Sequence, residues 1–448
     1  MKNLPSLPKE FEDTLRGKLG ESFDNFIGSL QQPSPVSIRL NPNKPFNLNG
    51  EQVPWSTYGR YLRERPVFTL DPAIHAGAYY VQEASSMFLE QVITQAVDLT
   101  KPIRALDLCA APGGKSTHLL SLLNQESLLI SNEVIRSRAS ILSENIQKWG
   151  HQNVIITNND PEDFTKLEGF FDVIVVDAPC SGEGLFRKDP DAMQEWSLAN
   201  VDLCCKRQRR ILADIWPALK PNGVLIYSTC TYNEQENEEN LQWLQQENDV
   251  EEISLTIDKT WGIETVQVGK LKGYRCYPHN VKGEGFFLSA IRKNEPQEEL
   301  RIKSKKTLTT PSKKIIEQLK HWVLSDSTQF FLWNETTFAI SQLEVTEFLS
   351  QYLKIVQAGT PFVTAKHDKL IPEHASALSI ELNKAHFHQI EVRLEDALHF
   401  LRKEPIQSSS APKGFALVTY QQLPLGWVNV IDNRSNNLYP KEWRIRMS

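Results

Sequence analysis

One stretch constrains this chain more than any other: Ala105-Leu106-Asp107-Leu108-Cys109-Ala110-Ala111-Pro112-Gly113-Gly114-Lys115-Ser116-Thr117. Arg104 to Leu108 is a short apolar run beside an acid and reads as a strand. Proline fixes φ and glycine tolerates positive φ, so Pro112-Gly113-Gly114 must turn. Helical spacing resumes through His118-Leu119-Leu120-Ser121-Leu122-Leu123. A strand, a glycine loop and a helix in this order aim backbone N–H groups and a helix dipole at a ligand. That ligand lies beyond the C-terminal end of the strand.

The surrounding chain repeats the alternation. Further strands are expected at Leu128 to Asn132, Asn153 to Thr157, Phe171 to Val176 and Gly223 to Tyr227. Helices are expected at Ser85 to Ala96, Arg136 to Trp149, Leu198 to Leu219 and Asn233 to Gln246. Buried strand runs separated by helices mean an α/β fold with a doubly wound, mostly parallel sheet. Arg275 to His279 and Gly285 to Ile291 should finish that sheet at an edge.

The flanks have a different texture. An amphipathic helix over Phe11 to Leu30, the break Pro33-Ser34-Pro35 and a strand over Val36 to Leu40 suggest an α+β extension. Arg60, Arg63 and Arg65 stand there among Tyr58 and Tyr61, a mixture suited to phosphate contact and base stacking. The reading divides the chain into an N-terminal RNA-binding extension (1–70), a catalytic α/β domain (71–293), a charged linker (294–312), an intermediate domain (313–380) and a β-rich C-terminal domain (381–448). In the last of these, Lys384 to Leu401 reads as partly helical. Phe415 to Val418, Gly426 to Val430 and Tyr439 to Arg444 supply its β-rich character. With 448 residues several domains are required, and a formal charge of −6 argues against a general nucleic-acid binder. No apolar run reaches ~18 residues, and no signal-peptide segment opens the chain. The six cysteines lack metal-type CxxC spacing. A cytoplasmic monomer with free thiols, no metal and no membrane contact is expected.

Two ligands compete for the glycine loop. Gly114-Lys115-Ser116 resembles the end of a P-loop, and Val173 to Asp177 could pose as its strand with a metal-binding acid. Yet Cys109 occupies the place of the first P-loop glycine, and Pro112 interrupts the nest of N–H groups. The alternative is an adenosyl cofactor without phosphates. Glu133 ends the second strand, where an acid would hold ribose hydroxyls, and Asp160 follows the third, where it can receive an adenine amino group. Carboxylates repel a triphosphate and suit S-adenosyl-L-methionine, whose sulfonium is positive.

Two cysteines then matter. Asp177-Ala178-Pro179-Cys180-Ser181-Gly182 follows the fourth strand, and Ser228-Thr229-Cys230-Thr231 follows the fifth. Both thiols should emerge on the rim where such sheets bind ligands. Cys204, Cys205 and Cys276 read as small core residues. Carbon 5 of cytosine is a poor nucleophile until a thiolate adds to carbon 6. Asp177, when protonated or sharing a proton in the closed site, is placed to offset the charge that then develops near ring nitrogen 3.

These residues resemble the Nop/Sun family of RNA 5-methylcytosine methyltransferases. The carrying motifs are Leu106 to Lys115, Val176-Asp177-Ala178-Pro179-Cys180-Ser181-Gly182-Glu183-Gly184 and Tyr227-Ser228-Thr229-Cys230-Thr231. Gly184-Leu185-Phe186-Arg187-Lys188 and Glu236-Asn237-Glu238 sharpen the match to the bacterial rRNA small subunit methyltransferase F type. Tyr439-Pro440-Lys441 is similar to the end of that branch's PUA-like domain. The resemblance implies a Rossmann-like methyltransferase sheet, S-adenosyl-L-methionine as cofactor, and 16S rRNA or the small ribosomal subunit as partner. It also implies Cys230 as nucleophile, Cys180 in product release, and a cofactor ringed by Cys109, Ala110, Ala111, Pro112, Gly113, Gly114, Lys115, Glu133, Asp160 and Asp177. DNA cytosine methyltransferases instead attack with the cysteine of a Pro-Cys pair, here Cys180, so a role exchange is the rival. The net charge departs from a basic RNA binder. Arg60 to Arg65, Arg187-Lys188, Lys206 to Arg210 and Lys441 to Arg446 are the docking candidates. A P-loop ATPase and an RNA-binding assembly factor without turnover are the competing functions.

Overall fold

A computed structural model describes residues 7–447 except 298–299, 301, 304, 367–368, 407–410 and 432–433. The charged linker expected at 294–312 lies partly outside the described residues. At the centre is a ten-stranded sheet. Its strands are β1 (Arg104–Asp107), β2 (Leu128–Asn132), β3 (Val154–Thr157), β4 (Phe171–Asp177), β5 (Leu219–Thr229), β6 (Val250–Glu252), β7 (Glu264–Val268), β8 (Leu271–Cys276), β9 (Phe286–Lys293) and β10 (Ile355–Ala358). The order is β7-β8-β9-β5-β4-β1-β2-β3-β10, with β6 paired to β9. Strands β1 to β5 are mutually parallel. The chain starts at the middle with β1, runs out to β3, then crosses back to β4 on the other side. That reversal creates a crevice at the C-terminal ends of β1 and β4, the place where open α/β sheets bind ligands.

Helices cover both faces because the strands are apolar on both. Ala105 of β1 joins the core under α1 (Gly114–Leu122) and α2 (Arg136–Trp149). Leu106, pointing the other way, joins the core under α3 (Leu198–Ile215) and α4 (Glu238–Glu247). Several boundaries differ from the sequence reading: the helix expected from Ser85 begins as a 3₁₀ turn and is α-helical over Leu89–Ala96, and the strand expected at Gly223 to Tyr227 spans Leu219–Thr229. α3 stops at Ile215 because Pro217 belongs to a 3₁₀ turn over Trp216–Ala218. α4 starts at Glu238, since Asn233 to Asn237 form a loop in which Asn237 bonds Thr229 and Thr231. The sheet edge also differs: β9 lies inside the sheet between β5 and β8, and β7 forms that edge.

The expected N-terminal helix is two helices, Lys9–Leu19 and Phe23–Leu30, broken at Gly20 with φ 53°. Their apolar face does not stand alone. Phe11, Phe23 and Phe26 pack with Phe186, Trp196, Tyr232 and Tyr277, covering the loops that follow β4 and β5. A four-stranded antiparallel sheet follows, built from Val36–Leu40, Glu51–Gln52, Gly59–Leu62 and Tyr79–Val81. Downstream, Gln329–Trp333, Thr336–Ile340, Thr360–Lys366 and Lys369–Pro372 make one sheet. His388–Glu391, Gly414–Tyr420, Leu423–Ile431 and Arg434–Asn437 make the last. Tyr439 to Arg444 is not a strand. Its Tyr439 is buried between Phe400 and His374 and joins one core with Ile38 and Tyr79 from the other end of the chain. Among the described residues no helix is long and apolar enough to cross a membrane.

Candidate active site

The glycine loop hangs between β1 and α1. Gly113, with φ 115°, caps α1 in a conformation that favours glycine. The loop is held from outside. Arg138 donates to the Ala111 carbonyl at 2.7 Å and Asn145 to the Pro112 carbonyl at 2.8 Å. The Leu108 and Ala110 N–H groups are already spent on Val175 and Asn132 carbonyls. With the Ala110 N–H bonded inward and none on Pro112, the loop lacks the unbroken run of donors of a phosphate nest, which disfavours the P-loop reading.

Carboxylates ring this loop. Asp107 is wholly buried; one oxygen accepts the Ser116 hydroxyl at 2.7 Å and the other has no partner. Burial raises its pKa to about 7. Glu133 is buried at the end of β2, accepting the Ile135 N–H at 2.9 Å with Arg138 3.5 Å away. Asp160 caps the turn that follows β3 and is clasped by both Arg210 guanidinium nitrogens at 3.1 Å. Asp177, the last residue of β4, accepts the Ser228 hydroxyl at 2.8 Å and pairs with Lys115 at 2.6 Å. A carboxylate-rich donor set with an orphaned buried oxygen fits the hydroxyls, amine and sulfonium of an adenosyl sulfonium cofactor. Lys115 turns toward Asp177 and lies 5.2 Å above the Phe286 ring.

The two thiols meet. Cys180 and Cys230, both half-buried, bring their sulfurs to 3.1 Å. They are this close because β4 and β5 are adjacent and parallel, with Asp177 opposite Ser228 in register. The hydrogen bond with Cys230, followed by burial, pushes the Cys180 thiol up, so Cys180 keeps its proton beside its neighbour. Burial likewise pushes the Cys109 thiol up.

Sequence reasoning missed the supports of this constellation. Glu236 accepts the Ser181 N–H at 3.0 Å and the Gln208 amide at 2.8 Å, and Gln208 also donates to the Pro179 carbonyl. These bonds hold the loop carrying Cys180, and burial raises the Glu236 carboxyl. Glu183 accepts the Tyr232 N–H and the Trp196 indole N–H, both at 3.0 Å, tying the two cysteine loops together. Arg39 is fully buried and bonds Gln82, Ser121 and Thr117 while stacking on Trp149. A charge in the middle of the apolar strand Val36–Leu40 was the signal that could have marked it. Among the docking candidates, Arg187 is buried against Glu284, and Arg210 is engaged with Asp160.

Comparison with known proteins assigns this architecture. Residues 95–292 match the family model described as 16S rRNA methyltransferase RsmB/F. Residues 7–84 match the N-terminal domain of 16S rRNA methyltransferase RsmF, and 387–445 the methyltransferase RsmF PUA domain. The chain is 30% identical to the ribosomal RNA small subunit methyltransferase F of Cronobacter sakazakii, covering 97% of this chain and 96% of that one. A methyltransferase homolog from Pyrococcus horikoshii superimposes with a TM-score of 0.55 at 28% identity, over 64% of this chain and 95% of that one. NSun6 from the same organism, solved with SFG, shares the fold with a TM-score of 0.55 at 21% identity, over 64% of this chain and 99% of that one. The chain therefore belongs to the RsmB/F family of 16S rRNA methyltransferases.

Proposed function

We propose that this chain methylates carbon 5 of a cytidine in 16S rRNA by way of a transient bond between Cys230 and carbon 6 of the base. Family membership gives the coarser statement, an S-adenosyl-L-methionine-dependent methyltransferase of 16S rRNA. The observation that carries the finer reading is the 3.1 Å pair of sulfurs at the ends of two adjacent parallel strands. A single buried thiol would be unremarkable packing; two thiols in contact on the ligand-binding rim call for covalent chemistry.

The target base leaves its stack to reach this crevice. The Cys230 thiolate bonds to carbon 6, and the electrons of the 5,6 double bond make carbon 5 nucleophilic. The Cys180 thiol, which holds its proton, lies in hydrogen-bond contact with the Cys230 sulfur. Asp177, fixed by Ser228, presents the proton it shares with the Lys115 ammonium on its other oxygen toward ring nitrogen 3, where negative charge develops. When bound among Asp107, Glu133 and Asp160, the sulfonium cofactor supplies the methyl group that carbon 5 takes up. Solvent water then takes the proton from carbon 5, the electrons of that bond restore the 5,6 double bond, the carbon–sulfur bond breaks with its electron pair returning to Cys230, and Cys180 assists this release.

The test is a gel that resolves covalent protein–RNA adducts, run with 16S rRNA and S-adenosyl-L-methionine. Cys180→Ala should accumulate the adduct and Cys230→Ala should form none. The reverse pattern would exchange the two roles. Bisulfite sequencing of the product should show protected cytidine in the wild type alone.

A further inference from the structure

We propose that β10, which enters from the C-terminal part of the chain, is a component of the cofactor rim, and that Asn158 and Asn159 position Glu133 and Asp160 against it. This rests on the reading above that those two carboxylates hold the cofactor. β10 extends the sheet by pairing antiparallel with β3, Ile355 opposite Thr157 and Ala358 opposite Ile155. A strand that merely sealed an exposed edge would need no more than that ladder. Here the residue before it reaches further. The Lys354 carbonyl accepts the Asn158 N–H at 3.0 Å and the Asn159 amide at 3.2 Å. The Lys354 N–H donates to Asn159 Oδ1 at 2.9 Å, and its ammonium to Asn158 Oδ1 at 3.2 Å.

The clip continues inward through buried amides. Asn132 accepts the Asn159 N–H at 3.0 Å, donates to the Asn159 carbonyl at 3.0 Å, and donates to the Leu108 carbonyl at 3.1 Å. Asn158 donates to the Glu133 carbonyl at 2.7 Å and the Val134 carbonyl at 2.9 Å. Glu133 and Asp160 are thus each one peptide bond from an asparagine in the network. Gln357 of β10 adds a second hold, accepting from Ser143 and Gln147 of α2, both at 2.7 Å. α2 is the helix whose Arg138 and Asn145 grip the glycine loop. Polar networks satisfied in this way fix a single geometry, and what they fix here is the rim.

Calorimetry with S-adenosyl-L-methionine and steady-state kinetics on the full chain test this. Asn159→Ala should weaken cofactor binding about tenfold and raise the cofactor KM to match, with kcat at saturation within about twofold and RNA affinity unchanged. Asn159→Asp keeps the oxygen that faces the Lys354 N–H and should fall between. Asn158→Ala, at a half-buried position, should shift the same constant in the same direction about threefold and stands in if Asn159→Ala does not fold. A lower melting temperature with unchanged cofactor affinity in these variants would make β10 an edge cover and overturn the proposal. Glu133→Ala separates the two readings. If it leaves cofactor affinity intact, the site assignment fails; if it weakens binding while the asparagine variants do not, only the rim proposal fails.

Discussion

Lys115 Nζ stands 2.6 Å from Asp177 Oδ2, so the end of the glycine loop and the end of β4 share one ion pair between the proposed cofactor rim and the thiols. Asp177→Asn keeps the side-chain shape and a partner for Ser228 but removes the charge. It should lower kcat by about 10²-fold or more while cofactor affinity falls far less. Single-turnover methyl transfer and cofactor calorimetry on the variant check this. An equal loss in both would place Asp177 on the cofactor alone.

Gly184 is squeezed between the two cysteine loops. A Cβ there would meet the Gly285 carbonyl oxygen at 2.5 Å and the Cys230 carbonyl oxygen at 2.7 Å. Its N–H also donates to the Cys230 carbonyl at 2.8 Å. Gly184→Ala must therefore shift main chain where the Cys180 loop meets Gly285 and Cys230. We expect kcat to fall about 10- to 100-fold with cofactor affinity intact, since small displacements of a reacting group are costly. Kinetics and calorimetry read the two effects separately.

Arg39 joins the N-terminal sheet to α1. Burial lowers its pKa to about 9, yet every guanidinium nitrogen is bonded. Arg39→Lys cannot reproduce that fork; Gln82 Oε1 loses the donor it has in Arg39 Nε, and Thr117 keeps only the bonds its hydroxyl donates to the Gly113 and Gly114 carbonyls. A loss of about 3 kcal/mol is expected in urea unfolding, as for other broken buried charge networks. A loss below about 1 kcal/mol would show that the network contributes little.

Asp107 gives stability a pH signature. Its folded pKa is raised from 3.8 to about 7 by burial, so the folded state binds a proton that the unfolded state releases across this window. The contribution is fully present below pH 3.8 and is lost as pH rises toward 7. Asp107→Asn removes the titrating group, so its stability relative to wild type should rise over that window, by at most about 1.4 kcal/mol per pH unit. Urea midpoints measured from pH 4.5 to 7.5 check the slope, and parallel curves for the two proteins would refute it.

Local chemistry made much of this protein legible in its sequence. The strand, glycine loop and helix over Ala105 to Thr117 follow from apolar spacing and from what proline and glycine do to φ. The strands ending at Asn132, Thr157, Asp177 and Thr229 follow from apolar runs, and parallel order follows from the crossovers between them, helical except for the 3₁₀ turn Pro161–Lys166. Acids and thiols at those ends could be named because side chains at strand C-termini share one rim.

Only the tertiary structure decided what those side chains do to one another. The adjacency of β4 and β5 brings Cys180 to Cys230, and the turn of α1 sends Lys115 to Asp177. Neither the insertion of β10 beside β3 nor the core shared by Ile38 and Tyr439 has a local signal. Periodicity reports which face of an element is apolar, whereas its partner is fixed by which distant faces fit together without leaving buried polar groups unpaired. That is why the acids and thiols at the strand ends could be read from the chain, while the roles of Arg39, Glu236 and the asparagine clip emerged only when it was folded.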